Sequence, residues 1–415
     1  MVGFLIACAG GGGPGADPVG APSPLPPDLP PIQVVSEVAT AHLAGEFQVD
    51  AVSVVPDVTG DGVSDLLVAA TGGGLELLVL SGAALAAGDS DWLGTAQVAV
   101  LHGFPDSEGI GAVAADTRGD GALELVVVHA DGLLVLDTPL AGRIDVGRGV
   151  QVLDLATPTH VGLVGTEPPA LVLTGTYLDA PEAWLFPLPL PAALVADETE
   201  ARIRSSSWDA VHAFREVALP WVRGPADPVL WSDGAGVSAV DGMAGEVNVG
   251  LVVPGEGRFR VADVEVVAGL GRVGEPADRY AWQGCHPETG ACGLLFAPAS
   301  ALAGSLDAYA AWDAADTAIL SDGDRWEPLT VFPADDGSGR EDLLFRPSAG
   351  ASWFAVAGDL VGAWNPVSVG PGVLARWEVE RDARDTVLVA DLDQTPPVDF
   401  VFVGPGDIFV VTRAD

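Results

Sequence analysis

Three short acidic loops carry residue types and spacings that could bind a metal ion. In loop 1, residues 57–65, oxygen-bearing side chains occupy positions 1, 3, 5 and 9 and belong to Asp57, Thr59, Asp61 and Asp65. Carboxylates at alternate positions of a tight loop can converge on one hard cation, because Ca²⁺ accepts roughly six to eight oxygen ligands in a flexible geometry. The sequence therefore predicts a structural Ca²⁺ site, and a set of solvated Asx turns is the alternative interpretation.

The same spacing recurs in two further loops, which we name loop 2 (residues 116–124) and loop 7 (residues 391–399). The candidate ligands are Asp116, Asp120 and Glu124 in loop 2 and Asp391, Asp393, Thr395 and Asp399 in loop 7. Arg118 replaces the third-position ligand of loop 2. Two outcomes are therefore open in loop 2, because the arginine cation could fill the site in place of Ca²⁺.

Each of these loops leads into a short apolar segment, and such segments recur along the chain. They start near Leu66, Leu125, Leu171, Leu230, Tyr280, Leu343 and Phe400. The mean interval between successive starts is about 56 residues, and seven such units fill residues 32–415. Short apolar runs broken by Gly, Pro and Asp predict strands and turns. A period of this size with several strands per unit predicts an all-β fold, a seven-bladed β-propeller.

The two ends of this predicted ring are expected to meet in the last unit. Its predicted strands are 386–390, 400–403 and 407–412, which leaves the outer position of the blade without a strand. The segment Gln33–Val38 precedes the first unit and is otherwise unassigned. Placing it in the outer position would close the ring and remove an exposed sheet edge. We therefore predict closure by an N-terminal strand completing the last blade.

The remaining units keep less of the acidic pattern. Units three, four and five lack the alternating carboxylates, so we expect no metal in them. Unit six is intermediate, because its loop 6, residues 335–342, keeps Asp335 and Asp342. Two short inserted helices are also predicted, around residues 207–217 and 301–315.

The acidic loop, the apolar strand, the Gly-Gly turn and the next apolar strand together resemble an FG-GAP repeat, also called a VCBS repeat, as in the N-terminal propeller of integrin α chains. The similarity is strongest in residues 57–81 and extends to residues 116–137 and 391–411. This resemblance implies Ca²⁺ bound between the first two strands of a blade, in a ring that serves as a binding scaffold. It also implies that the carbonyl groups of Val63 and Pro397 are ligands in loops 1 and 7.

The N-terminal residues predict export and a flexible connection. Residues 5–8, Leu-Ile-Ala-Cys, resemble a bacterial lipobox in which the cysteine, here Cys8, is lipidated after cleavage, so residues 1–8 are the expected remnant of a lipoprotein signal. Only seven residues precede Cys8 and none is basic, so either the true start lies upstream or the resemblance is accidental. Residues 9–31 are rich in Gly and Pro and predict a disordered tether before the propeller of residues 32–415. We expect a bacterial cell-envelope lipoprotein, at the outer membrane or surface, that contacts membrane through this anchor alone.

Cys285 and Cys292 flank a short predicted turn in unit five. Two cysteines across such a turn suit a cross-strand disulfide, which an oxidising compartment would allow. A zinc site is the competing interpretation, but His286 is the one further ligand nearby and another would be needed.

The net charge and the lack of catalytic and nucleotide-binding motifs in the sequence argue against several classes of function. The chain has 58 acidic and 18 basic residues and a formal net charge of −40. This charge argues against nucleic-acid binding and against docking of the folded surface on anionic lipid. The sequence contains no nucleophile elbow, phosphate loop or nucleotide fingerprint. We therefore predict a monomeric, non-catalytic binding or adhesion module for an extracellular protein or glycan. The alternatives are a hydrolase or lyase acting on extracellular polysaccharide at the mouth of the central channel, and a purely structural envelope lipoprotein.

Overall fold

The computed structural model describes most of the residues after position 29, with gaps. The described residues are 30–44, 48–71, 75–90, 96–104, 111–129, 132–146, 151–152, 156–164, 169–177, 180–191, 194, 201–204, 229–232, 236–240, 246–248, 259–262, 267–272, 275, 277–290, 292–321, 326–347, 352–358, 373–379, 386–395, 397–404 and 406–412. They are mostly strands with few helical residues, so the fold is all-β. The expected lipobox at Cys8, most of the expected tether and the helix expected at 207–217 lie outside the described residues.

The described strands form seven sheets, numbered here by the unit to which they belong. The chain begins with β1 (Ile32–Val34), the helical turn α1 (Val35–Val38) and β2 (Ala41–Ala44). Sheet 1 follows with β3 (Gln48–Val55), β4 (Asp65–Thr71), β5 (Leu75–Leu80), α2 (Gly82–Ala86) and β6 (Gln97–His102). Sheet 2 contains β7 (Ala112–Ala115), β8 (Glu124–His129) and β9 (Gly132–Asp137), then β10 (Gly142–Asp145) and β11 (Gln151–Val152). Of these, β10 pairs in parallel with β6 at the edge of sheet 1, whereas β11 pairs with β9.

Sheets 3 and 4 repeat this arrangement. The strands of sheet 3 are β12 (Ala156–Val164), β13 (Ala170–Tyr177), β14 (Ala180–Pro187) and β15 (Ala201–Arg204). The next strands are β16 (Val229–Ser232), β17 (Gly236–Val240), β18 (Glu246–Asn248) and β19 (Phe259–Ala262). Sheet 4 is formed by β16, β17 and β19, and β18 pairs in parallel with β15 of sheet 3.

Sheets 5, 6 and 7 complete the chain. The strands of sheet 5 are β20 (Val267–Leu270), β21 (Arg279–Cys285), β22 (Cys292–Pro298) and β24 (Thr317–Ser321). Between β22 and β24 lie a 3-10 turn (Ala299–Ala301), β23 (Gly304–Leu306) and α3 (Ala308–Ala314). In this set β23 pairs in parallel with β19 of sheet 4. Sheet 6 is β25 (Trp326–Pro333), β26 (Glu341–Pro347), β27 (Ser352–Val356) and β28 (Val373–Glu378). Sheet 7 is β29 (Thr386–Ala390), β30 (Asp399–Val403) and β31 (Asp407–Val411).

The N-terminal segment joins two of these last sheets. Strand β2 pairs antiparallel with β31, and β1 pairs in parallel with β28. The prediction that Gln33–Val38 fills the outer position of sheet 7 is wrong, because the strand there is Ala41–Ala44. The physical reason is burial: Ala41 and Leu43 alternate with exposed residues as an edge strand requires, whereas Val35 is fully buried between sheets 6 and 7.

Most of the predicted strand positions are confirmed. The predicted apolar starts fall in the second described strand of their sheets, except for Leu230, which lies in β16, the first described strand of sheet 4. Residues 205–228, which precede β16, lie outside the described residues. The helix expected within 301–315 is the shorter α3, where Asp307 accepts a hydrogen bond from the amide of Ala310.

The core lies between neighbouring sheets. On β4, Leu66 and Val68 pack with Val401 of sheet 7, whereas Leu67 packs with Leu125 of sheet 2. Alternate side chains of a strand point to opposite faces, so the continuous apolar run of β4 follows from burial of both faces. The same packing joins sheets 2 and 3, sheets 4 and 5, sheets 5 and 6, and sheets 6 and 7.

Candidate metal centre

Loop 7 connects β29 to β30 and brings three acidic side chains together. Among the described residues, Asp391, Asp393 and Asp399 form a group in which one carboxylate oxygen of each lies within 4.8 Å of the others. Asp399 is fully buried, and Asp391 is exposed. Three carboxylates at this distance repel one another unless a cation compensates them. An all-oxygen donor set of this kind fits a hard divalent ion such as Ca²⁺.

The backbone of loop 7 turns sharply around this group. Gln394 has a φ of 59°, in the left-handed region that few residues other than glycine adopt. The amide of Leu392 donates to Asp399 Oδ2 at 2.9 Å, and the Thr395 hydroxyl donates to Asp393 Oδ1 at 2.5 Å. Thr395 therefore lies against one of the three carboxylates, and its role as a ligand stays a prediction. Pro397, the predicted carbonyl donor, is buried in the same loop.

Loop 1 uses its carboxylates to bind its own backbone. Asp57 accepts hydrogen bonds from the amides of Gly60, Asp61 and Gly62 at 2.5, 3.2 and 2.8 Å. Asp61 accepts from the amide of Val63 at 3.1 Å. The predicted ligands therefore share one loop, but within the described chain their carboxylates are not gathered as closely as those of loop 7.

Asp65 closes loop 1 at the start of β4 and is fully buried. It accepts hydrogen bonds from the amides of Val58, Thr59 and Gly82 at 2.8, 2.9 and 3.1 Å, and from the Thr59 hydroxyl at 3.1 Å. Burial raises the pKa of Asp65, and the amide bonds from Val58 and Gly82 act in the opposite direction. The Asp65 carboxylate therefore holds loop 1 in its conformation through hydrogen bonds that do not require a bound ion.

Loop 2 repeats the same backbone turn. Asp116 accepts from the amides of Gly119, Asp120 and Gly121 at 2.6, 3.2 and 2.8 Å. The amide of Gly121, followed by that of Gly119, lowers the pKa of Asp116. Glu124 is buried and accepts from both the amide and the hydroxyl of Thr117, at 2.9 and 2.8 Å. The turn therefore forms with a longer acidic side chain in the last position.

Loop 2 also contains a cation of its own. The guanidinium of Arg118 lies 2.5 Å from Asp137 Oδ1 through Nη2 and 3.7 Å from Glu124 Oε1 through Nη1. The hydrogen bond to Asp137 raises the pKa of Arg118. The arginine therefore places a positive charge beside Glu124 and Asp137, and the alternative of Ca²⁺ in loop 2 stays a prediction. Asp137, at the end of β9, is a partner that the loop spacing did not indicate.

Loop 6 shares an anchoring contact with loop 1 that the sequence interpretation missed. The amide of Gly358 donates to Asp342 Oδ1 at 3.0 Å, as the amide of Gly82 donates to Asp65 Oδ1 at 3.1 Å. A Cβ atom on either glycine would come within 1.9 Å of a carbonyl oxygen in the facing loop. A glycine about 16 residues after the last acidic residue, 16 in loop 6 and 17 in loop 1, is the signal that could have identified this contact.

The loops lie at the boundaries between sheets. The amide of Ser64 in loop 1 donates to the Asp391 carbonyl of loop 7 at 3.4 Å, and the Gln394 side chain donates to the Gly62 carbonyl. Loop 1 also accepts from the amide of Leu140, through the Val58 carbonyl, at 2.8 Å. Hydrogen bonds therefore connect loop 1 directly to loop 7 and to Leu140, which follows β9.

The predicted disulfide is present. Cys285 and Cys292 lie opposite each other on β21 and β22 and are joined, with their Cα atoms 4.0 Å apart. His286 instead accepts hydrogen bonds through Nδ1 from two backbone amides of the turn. This pairing excludes the zinc interpretation for these two cysteines.

Comparisons with known proteins do not identify a family. No protein-family model matches the sequence, and no curated protein matches it. Among solved structures, Drosophila Plexin A in complex with Semaphorin 1b has a TM-score of 0.36 and 11% identity, with 90% of this chain and 86% of that chain covered. A Bacteroides uniformis protein described as a 6-phosphogluconolactonase has a TM-score of 0.34 and 9% identity, with 88% and 95% covered. These likenesses assign neither a family nor an activity, and the FG-GAP resemblance stays a prediction.

In the part of the chain that the structure describes, none of the helices has the length and apolar character needed to cross a bilayer.

Proposed function

We propose that the chain is an exported, lipid-anchored, seven-bladed β-propeller, stabilised by Ca²⁺, that acts as a non-catalytic binding module for an extracellular protein or glycan. One observation carries this proposal. Sheet 1 packs on both sheet 2 and sheet 7, and sheet 7 takes its fourth strand from the N-terminal segment. Face-to-face packing of the first and last of seven small sheets is the arrangement expected of a closed ring.

Loop 7 supports the Ca²⁺ component. Asp391, Asp393 and Asp399 would hold the ion, with Thr395 and the Pro397 carbonyl completing the set that the resemblance implies. A bound divalent cation would supply charge compensation at the boundary between sheets 7 and 1. The chain's own residues already turn the loop, through the Gln394 conformation and the amide of Leu392.

Removal of calcium tests this component. We expect the melting temperature to fall when EDTA replaces CaCl₂, because an ion bound to the folded state alone stabilises it by about 2.7 kcal/mol at a hundredfold excess over Kd. The measurement is a thermal melt followed by circular dichroism, with MgCl₂ as the control for ionic strength and valence. Identical melts in EDTA and CaCl₂ would remove Ca²⁺ from the proposal.

The disulfide supports export. Cys285–Cys292 lies in an exposed hairpin turn, and structural disulfides persist mainly in oxidising compartments. Lipidation of Cys8 is tested by metabolic labelling with a palmitate analogue in a bacterial host. A Cys8→Ser variant that keeps the label would contradict the anchor.

The binding role is tested against the enzymatic alternative in one experiment. We expect the purified chain to bind immobilised envelope glycans or surface proteins in CaCl₂, without releasing reducing ends or unsaturated products from soluble polysaccharides. Turnover of any polysaccharide would replace the binding proposal with the hydrolase or lyase. Absence of both binding and turnover would favour a purely structural lipoprotein.

A further inference from the structure

Three aromatic side chains form a surface patch beside the disulfide, and we name this set the aromatic patch: His286, Tyr309 and Trp312. His286 follows β21, and the other two lie three residues apart on α3, so they share one face of the helix. The His286 ring centroid lies 5.2 Å from that of Trp312 and 6.4 Å from that of Tyr309, both edge to face. Tyr309 is 50% exposed, so much of its ring faces solvent.

The hairpin and the helix that carry the aromatic patch are both held in place by the fold. The Cys285–Cys292 disulfide closes the hairpin that carries His286. Helix α3 is held by its Asp307 N-cap and by Ala311, which is 3% exposed in the core between sheets 4 and 5. Trp312 packs partly against the same core. Rigid ring positions lower the entropy lost when a ligand binds, so the patch is organised before contact.

The patch presents hydrogen-bond donors that the protein does not use. His286 Nδ1 accepts from the amides of Glu288 and Thr289, each at 3.2 Å, so in the neutral ring the hydrogen lies on Nε2. Within the described chain, His286 Nε2, the Tyr309 hydroxyl and Trp312 Nε1 make no hydrogen bond with other protein groups. Three donors beside partly exposed rings therefore remain available to a ligand.

Carboxylates complete the chemistry of the patch. Glu288 follows the His286 turn and Asp313 follows Trp312, and both are exposed. The surrounding charge is acidic, since Arg279 is paired with Asp316 and the chain carries a net charge of −40. An anionic ligand would be repelled by this surface. The His286 ring meets the other two edge to face, whereas a cation is bound over the faces of aromatic rings.

A neutral sugar matches these features. A pyranose ring offers an apolar face of C–H groups to an aromatic ring, and its hydroxyls both accept and donate hydrogen bonds. The patch supplies ring surface and N–H and O–H donors, and the exposed acids Glu288 and Asp313 are its neighbours along the chain. We propose that the aromatic patch binds a neutral oligosaccharide. This inference rests on the proposed role as a binding module and gives that role a location and a ligand class.

Titration of the full chain with neutral oligosaccharides tests the inference. The probes are cellohexaose, xylohexaose, mannohexaose and chitohexaose, with choline chloride as the cationic probe, measured by isothermal titration calorimetry. We expect at least one hexasaccharide to bind and Tyr309→Ala to weaken that binding tenfold or more. The matched control is Leu374→Ala on β28, because Leu374 is also 50% exposed but lies on sheet 6. This variant should bind the hexasaccharide with the wild-type affinity. Trp312→Phe keeps the core packing, removes one N–H donor and should weaken binding severalfold.

The outcomes of this titration test the aromatic patch as a sugar site separately from the proposed function. Failure of all four hexasaccharides to bind, or wild-type affinity in Tyr309→Ala, overturns the patch as a sugar site. Binding of choline in place of sugar also overturns it and assigns the patch to cations. Glycan binding that survives Tyr309→Ala leaves the binding-module proposal standing at another surface, and the calcium-dependent melt does not depend on this patch.

Discussion

Loops 2 and 7 begin from the same acidic spacing and neutralise their carboxylates in different ways. In loop 2 the guanidinium of Arg118 lies between Glu124 and Asp137, so the positive charge belongs to the chain. In loop 7 three carboxylates are gathered, and the third-position residue is another acid, Asp393. The third position, Arg118 in loop 2 and Asp393 in loop 7, thus separates a loop that carries its own cation from one suited to recruiting a cation from solution, although positions 5 and 9 differ as well.

The comparison also shows what the ion is needed for. Loop 2 forms its turn through Asp116, which accepts three backbone amides, and Glu124, which accepts from Thr117. The hydrogen bonds alone therefore suffice to shape the loop. In loop 7 the repulsion among the three carboxylates also affects the free energy of folding, and a bound cation would reduce that repulsion.

The largest expected effect is loss of the calcium response when loop 7 loses one charge. Asp391→Asn keeps the shape of the side chain and lowers the mutual repulsion. In EDTA its unfolding free energy should equal or exceed that of the wild type, and in saturating CaCl₂ it should fall short by up to about 2.7 kcal/mol. Urea unfolding in both buffers measures the two values.

The control for this substitution is Asp313→Asn, because Asp313 is an exposed acid outside the acidic loops. It should leave both unfolding free energies unchanged. If Asp391→Asn retains the full calcium increment of the wild type, the ion does not bind at loop 7.

A smaller effect is expected when loop 2 is converted toward the loop 7 pattern. Arg118→Asp removes the cation beside Glu124 and Asp137, and should lower the unfolding free energy in EDTA, because both acids lose their ion-pair partner. The same variant should gain a calcium-dependent increase in stability that the wild-type loop 2 does not contribute. Urea unfolding and calcium calorimetry of the variant measure both changes.

Arg143→Gln provides the matched control, since Arg143 forms an exposed pair with Glu76 at 3.0 Å away from the acidic loops. It should alter stability by less than about 0.5 kcal/mol and add no calcium binding. An Arg118→Asp variant without any new calcium response would show that the charge pattern is insufficient to make a site.

The smallest expected effect is a difference in titration between loops 1 and 2 in calcium-free protein. Burial raises the pKa of Asp65 above 3.8, whereas the amides of Gly121 and Gly119 lower that of Asp116 below 3.8. The contribution of Asp65 to stability is therefore present at low pH and is lost as the pH rises through its raised pKa. The contribution of Asp116 is present above 3.8 and is lost as the pH falls through its lowered pKa.

Carboxyl NMR shifts recorded from pH 2 to 7 in EDTA measure the order of these two titrations. The exposed Asp313 serves as the internal reference for an acid outside the loops. Titration of Asp65 below Asp116 would contradict the roles assigned to burial and to the amide bonds.

Much of the candidate site could be predicted from local sequence. The acidic residues of loop 7 and Arg118 of loop 2 were identified from spacing alone, because a tight turn fixes which side chains can meet within nine residues. The sequence does not indicate Asp137 or Gly358, since Asp137 lies 19 residues after Arg118 and Gly358 lies 16 residues after Asp342. Contacts across that distance depend on strand register, which the local pattern does not contain.

The sequence by itself determined the positions of most strands, because apolar runs bounded by Gly, Pro and Asp are local signals of strand and turn. It also favoured the disulfide between Cys285 and Cys292 over a zinc site, and the structure confirms the disulfide. Only the tertiary structure decided that Ala41–Ala44 pairs with β31 while Ile32–Val34 joins β28. Both segments are short and apolar, and the choice between them rests on where Val35 and Leu43 are buried among sheets 1, 6 and 7. Burial of that kind is a property of packed sheets, and it exists only once distant parts of the chain have come together.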